Sequence, residues 1–221
     1  GLFAVGSREE FLAAYHPTKR AGLVHVAKLS EVPGKKTWTW GPSTWPAQNL
    51  ADDNSTYIEI QAGVLPSQED HEFLAPEERK TFTEYWFGAR ELSGISRATV
   101  DAVAYLGRAV AGEVVAELNV TRAVEDARIE ILNAAGDVVF AETGTLTPEK
   151  TWSKKLPPVG GALTFRVTDA EGASLLTHTE GVIDAEGPGE IAVGKRPPPA
   201  WLTNPVTAND FVERAVSNER Q

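Results

Sequence analysis

Tyr57, Glu59 and Gln61 stand at alternate positions in the run Tyr57-Ile58-Glu59-Ile60-Gln61-Ala62-Gly63. Successive side chains of a β-strand point to opposite faces. This spacing therefore aligns a phenol, a carboxylate and an amide on one face, with Ile58, Ile60 and Ala62 on the other. A carboxylate held between polar neighbours on a rigid strand can bind sugar hydroxyls or serve as a general base. The same alternation also suits an ordinary solvated face, and the strand by itself does not choose.

Aromatic residues are the second kind of candidate. Trp38 and Trp40 share a face with Lys36 in the strand-like run Lys36-Thr37-Trp38-Thr39-Trp40, and Trp45, Tyr57 and Trp86 lie nearby in sequence. Flat rings stack on the C–H faces of sugars, but large aromatics also fill cores. Asp52, Asp53 and Asn54 can bind hydroxyls or a cation, or can close a turn on their own backbone. Among these, Asp53 is taken as a substrate-binding candidate. There are four histidines. His25 sits mid-strand with Leu23 and Ala27, either at a pocket edge or satisfied in a core. His16 precedes Pro17, His71 lies in an acidic loop, and His178 falls in a region without other chemistry-bearing residues. No His-x-x-x-His spacing, Gly-rich phosphate loop or Ser-His-Asp order is present, so neither a metal nor a cofactor is expected.

Composition narrows the partners. The chain has 221 residues, 42% of them hydrophobic, and a net charge of −10. That charge disfavours nucleic acid and anionic membranes, which need clustered Lys and Arg. No apolar run approaches the roughly 20 residues that span a bilayer. The chain has no cysteine and no methionine and opens on Gly1, so it reads as an excised piece of a longer protein. With no export signal in view, the cytoplasm is the default compartment.

Three zones position these residues. Residues 1–91 hold five of the eight Phe and four of the six Trp. Here short strands are expected at 22–28, 36–40, 57–63 and 80–87, with Pro33-Gly34 as a type II turn. The segment 7–15 carries a capping-box pattern for a short helix but equally suits an irregular strand. Residues 92–183 are rich in Val, Ala, Thr and Glu. Strands at 99–106, 114–121, 127–132, 138–142, 163–168 and 175–179, with hairpin loops at 133–137 and 169–172, suggest a small immunoglobulin-like β-sandwich. Residues 184–206 form a Gly/Pro-rich linker. Residues 207–221 read as a helix capped by Thr207, with Phe211 and Ala215 on its apolar stripe.

The runs Gly22–Val26, Lys35–Gly41, Asn49–Asn54, Tyr57–Gly63 and Thr83–Trp86 resemble the second half of a bacterial family defined by domain of unknown function 5107. That resemblance implies a galactose-mutarotase-like β-supersandwich, then a small β-domain and tetratricopeptide repeats. A more distant similarity is to the aldose mutarotases, which carry a Glu-Thr-Gln strand, a Pro-Gly-Glu turn and a strand rich in Thr and aromatics. Glu59-Ile60-Gln61 resembles the first, and Pro76-Glu77-Glu78 through Phe87 the rest. In those enzymes the glutamate takes the proton from the anomeric hydroxyl, so the resemblance implies that role for Glu59. Ile60 departs from the family's Thr. The family's histidine acid and substrate-binding aspartate would lie upstream of this sequence.

The resulting expectation is a mainly β chain in four parts. Residues 1–91 would be the C-terminal part of a mutarotase-like domain, 92–183 an immunoglobulin-like sandwich, 184–206 a linker and 207–221 a helix. Its expected ligand is a carbohydrate, with Glu59 as base and Gln61, Tyr57, Trp38, Trp40, His25 and Asp53 around the sugar. Partner segments would be an N-terminal domain and downstream helical repeats of the same protein. A non-catalytic module binding glycans or proteins is the rival expectation.

Overall fold

The computed structural model describes residues 1–4, 6–40, 55–68 and 70–182. Among them the chain is mainly β, with fourteen strands in four antiparallel sheets and no helix. The first half supplies β1 (Leu2–Phe3), β2 (Phe11–His16), β3 (Ala21–Ala27), β4 (Gly34–Trp40), β5 (Tyr57–Gly63) and β6 (Glu84–Arg90). These form two three-stranded sheets, ordered β1-β4-β5 and β2-β3-β6. The second half supplies β7 (Arg97–Ala98), β8 (Ala102–Arg108), β9 (Val114–Val120), β10 (Val124–Leu132), β11 (Val138–Leu146), β12 (Trp152–Leu156), β13 (Thr164–Thr168) and β14 (Ser174–Thr179). Its two four-stranded sheets are ordered β12-β9-β8-β7 and β11-β10-β13-β14.

The two sheets of the second half enclose one core. Ala104, Leu106, Ala116 and Leu118 from one sheet meet Ile129, Ile131, Phe165, Val167 and Leu176 from the other. Each strand contributes every second residue, so period 2 dictates which side is apolar. Both expected hairpin loops form. Asn133 Oδ1 accepts the Ala135 and Asp137 N–H groups. Asp169 Oδ1 accepts the Ala173 N–H at 2.7 Å. Gly136 and Gly172 take φ of 88° and 84° in these turns, a region costly for residues bearing a Cβ.

Several local expectations resolve differently. The segment 7–15 takes the strand alternative: Phe11, Ala13 and Tyr15 alternate onto one face and pack with Val24 and Val26. Ser7 accepts the Glu9 N–H at 3.3 Å, closing a local turn rather than capping a helix. The type II turn at Pro33-Gly34 does not form. The turn lies earlier, where Glu31 and Val32 both donate to Lys28 O. Gly34 instead opens β4, where an added Cβ would lie 2.1 Å from Leu65 O. The short pairings of β1 and β7 and the polar strand β12 were not expected. The linker 184–206, the helix 207–221 and Asp53 lie outside the described residues. No described helix is long and apolar enough to cross a membrane.

The two halves share a second core. One face of the β2-β3-β6 sheet, with Phe11, Tyr15, Val24, Val26 and Phe87, packs on Leu92, Ile95, Ala98, Val103 and Tyr105. Polar groups stitch its margin. Tyr15 OH donates to Leu92 O, and Arg97 pairs with Glu9. The Glu117 carboxylate accepts the Ser93 N–H and hydroxyl. Asn119 Oδ1 accepts the Arg90 N–H at 2.9 Å, while its Nδ2 donates to Thr151 Oγ1 at 2.8 Å. The Thr151 hydroxyl in turn donates to Arg90 O at 3.2 Å.

Candidate functional site

The β1-β4-β5 sheet presents its residues in rows. Cross-strand partners share a face. Phe3 pairs with Lys36, and Lys36 with Gln61. The next rows are Trp38 with Glu59 and Trp40 with Tyr57. One face therefore gathers Phe3, Lys36, Trp38, Tyr57, Glu59 and Gln61. Four of the sequence candidates, Tyr57, Glu59, Gln61 and Trp38, come together as the strand spacing required, and Trp40 stands opposite Tyr57 in the register. The neighbouring aromatic Phe3 and the cation Lys36 complete the face.

The polar groups form a ladder along β5. Gln61 Nε2 donates to Glu59 Oε2 at 2.7 Å. The Tyr57 phenol donates to the same carboxylate. Partial burial, and then the hydrogen bond and charge of Glu59, push that phenol above its ordinary value. Glu59 is thus an acceptor held from both sides, and all three side chains are half-buried. The Trp38 indole meets the Phe3 ring edge-on, at 6.2 Å between centroids and 78° between planes. It also packs on Gly1, where an added Cβ would fall 2.8 Å from the ring.

Two hollows adjoin this face. One, of about 250 Å³, is lined by Phe3, Lys36, Gln61, Val64, Pro66 and Gln68 among others. Lys36 Nζ donates to Gln68 Oε1 at 2.9 Å across it. The other is a cleft of about 630 Å³ that runs between edge strands β5 and β2, lined by Glu59, Gln61, Ile58, Ile60, Leu23 and His16 among others. Leu23 and Ile58 remain 44% and 51% exposed there.

His25 is set apart from the ladder. It lies on β3, fully buried, with its ring 4.5 Å from that of Trp86. Its register partner on β6 is Trp86. Nε2 is 3.3 Å from Glu84 Oε1, yet neither ring nitrogen makes an aligned hydrogen bond. Burial lowers its pKa from the ordinary value; Glu84 opposes this and Lys35 adds to it. Lys35 and Lys36 point to opposite faces of β4, so His25 neighbours the face behind the ladder. Trp86, 44% exposed, belongs to the His25 side. His178 lies in the second half, where burial and then Arg97 hold its pKa low. Among the described residues no three His, Asp or Glu side chains converge into a set that could hold a metal ion.

Sequence spacing found the ladder, because a strand's alternation is local. It placed Lys36 beside the tryptophans without a role and missed Phe3 and Gln68, because their approach depends on pairing across three strands and on the loop after β5. Comparison with known families divides the chain in two. Residues 2–89 match the family described as a domain of unknown function (DUF5107), and residues 97–178 match the second domain of YphG-like proteins.

Proposed function

We propose that this chain is a carbohydrate-recognising module whose binding face is the β1-β4-β5 sheet. The observation that carries the reading is the half-buried ladder Tyr57–Glu59–Gln61 running beside Trp38. It offers a carboxylate and an amide to hydroxyl groups and an aromatic surface to C–H groups, within one row spacing of each other. Trp40 and Asp53 are the further residues proposed to contact the sugar. In the intact protein Glu59 is the general base for proton removal at a sugar hydroxyl, in epimerisation or glycoside processing. His25 supports the fold behind the face rather than touching the sugar.

A companion segment of the same protein fits the uncovered edges. The half-exposed Leu23 and Ile58 line the cleft between β2 and β5, both edge strands. An N-terminal companion domain would cover them.

The rival is a binding module with no chemistry. It is favoured by one feature: the Glu59 carboxylate is engaged by its neighbours on the strand, which occupies lone pairs that a general base would use. Two experiments separate these readings. Sugar titrations of this chain, followed at the Trp38 indole N–H by NMR, should shift that signal, and Trp38→Ala should abolish binding. Silence of the indole with every sugar removes both carbohydrate readings. In the intact protein Glu59→Gln should lower turnover by about 10²–10⁴-fold, as for loss of a general base; binding with unchanged turnover leaves the module reading alone.

A further inference from the structure

We propose that the hollow beside the ladder is a carboxylate pocket centred on Lys36, so that the ligand of this face is an acidic sugar of the uronate class. The inference rests on the carbohydrate reading and gives that ligand a polarity.

Lys36 is the middle of the row Phe3–Lys36–Gln61, drawn from three strands. Its ammonium donates to Gln68 Oε1, a neutral acceptor, at 2.9 Å, and lies 5.8 Å from the centre of the Phe3 ring. Among the described residues no carboxylate pairs with it. Lys28, Lys80 and Lys154 each have a glutamate within 4.0 Å; Lys36 does not, and what sets it apart from other lysines without one is its place in the wall of a hollow. On the loop after β5 the Asp70 carboxylate is engaged, accepting the Ser67 N–H at 3.1 Å and the Ser67 hydroxyl at 3.0 Å. An ammonium with three donors and one neutral partner, 5.8 Å from the centre of an aromatic ring, has donors to offer an anion.

The hollow has the shape of a binding site. Its volume is about 250 Å³, and its walls alternate apolar surface (Phe3, Val64, Pro66) with the amides of Gln61 and Gln68. Gln61 joins it to the ladder and stands between the two charges, its amide N–H turned to Glu59. The face therefore runs from an anionic acceptor at Glu59 to a cationic donor at Lys36. A ligand with hydroxyls at one end and a carboxylate at the other matches both ends. A neutral sugar leaves Lys36 unused, and a simple anion leaves the ladder unused.

The test uses the full chain and matched pairs, methyl galacturonide against methyl galactoside, titrated by NMR at low salt, with acetate as a control. The expected result is tighter binding of the acid by about tenfold or more, with shifts at Gln68 and Gln61. That preference should shrink in high salt. Lys36→Met should equalise the pair while keeping the neutral sugar bound, and Lys36→Arg should retain the preference. Equal affinity of the pair for the wild type overturns the acidic ligand and leaves the sugar reading standing. Acetate binding as tightly as the acid sugar, or a preference that survives Lys36→Met, overturns it as well. Binding of neither sugar removes this inference together with the reading beneath it.

Discussion

Asn119→Ala tests how the two halves are joined. Asn119 is 6% exposed, on the face of β9 opposite the sandwich core. Its amide closes a ring of three hydrogen bonds with Arg90 and Thr151: Arg90 N–H to Oδ1, Nδ2 to the Thr151 hydroxyl, and that hydroxyl to Arg90 O. The side chains of the second half thereby terminate the open edge of β6, the role a further strand would play. Truncation removes two of the three bonds, at about 1 kcal/mol each, and leaves the Arg90 N–H without a partner. A hollow of about 390 Å³ lined by Arg90 and Asn119 opens at this point. Water reaching it places the penalty for the stranded N–H at the low end of its range. The expected loss is about 2–3 kcal/mol, or a fall of about 4–12 °C in Tm for a unit of this size. Urea denaturation followed by tryptophan fluorescence gives the free energy, and amide exchange at Arg90 locates it. Thr151→Val should cost about 1–2 kcal/mol, and the double variant should cost less than the sum, because both substitutions break the Asn119–Thr151 bond. A loss under about 0.5 kcal/mol for Asn119→Ala, with Arg90 exchange unchanged, would refute the ring as a structural clamp.

Two pH-dependent outcomes follow from buried charge. His25 and His178 are both held below the ordinary histidine value of 6.5, by burial first. The unfolded chain then binds more protons than the folded one as pH falls below 6.5, so the stability they contribute is full above that value and is lost on acidification. His25→Gln should flatten the stability change between pH 7 and 5, as read by denaturant titration; an unchanged slope sinks the assignment for His25. Glu130 is held below the usual carboxylate range by Arg128 and Arg166, with burial opposing. Its contribution is present above that range and disappears as pH falls through it. Since the Arg128 and Arg166 side chains are 57% and 42% exposed, solvent screens the pairs. Glu130→Gln should cost about 1–2 kcal/mol at pH 7 and progressively less toward pH 3. A constant cost across that range would refute the ionic account.

The legible part of this protein is the part that obeys period 2. Tyr57, Glu59 and Gln61 could be assigned to one face, and strands expected at 99–106 and 114–121, because a strand's geometry fixes side-chain direction locally. The turns at 133–137 and 169–172 were legible too, since Asn and Asp bond their own backbone and Gly tolerates positive φ. The segment 7–15 was ambiguous because a capping box and an alternating apolar pattern coexist there. Packing of Phe11, Ala13 and Tyr15 on Val24 and Val26 decided it. Strand β12, with Ser153, Lys154 and Lys155, carries too little apolar signal to be seen alone, and pairing with β9 makes it.

A mainly β chain, its alternating faces and the row of carboxylate, amide and phenol are readable from the residues alone, because each follows from backbone geometry over a few positions. What those faces meet depends on how distant strands pack together. On β9, Glu117 and Asn119 alternate with core residues as solvent-facing groups would. The first half covers them and turns them into the joint between the two units. On β4, adjacent lysines look equivalent in sequence. Lys35 is buried against Glu9 O, while Lys36 opens onto a pocket built from β1, β5 and the loop beyond. The physical reason is the same in both cases. A strand dictates direction, but the neighbours that give a side chain its burial, charge partner and role are brought from far along the chain.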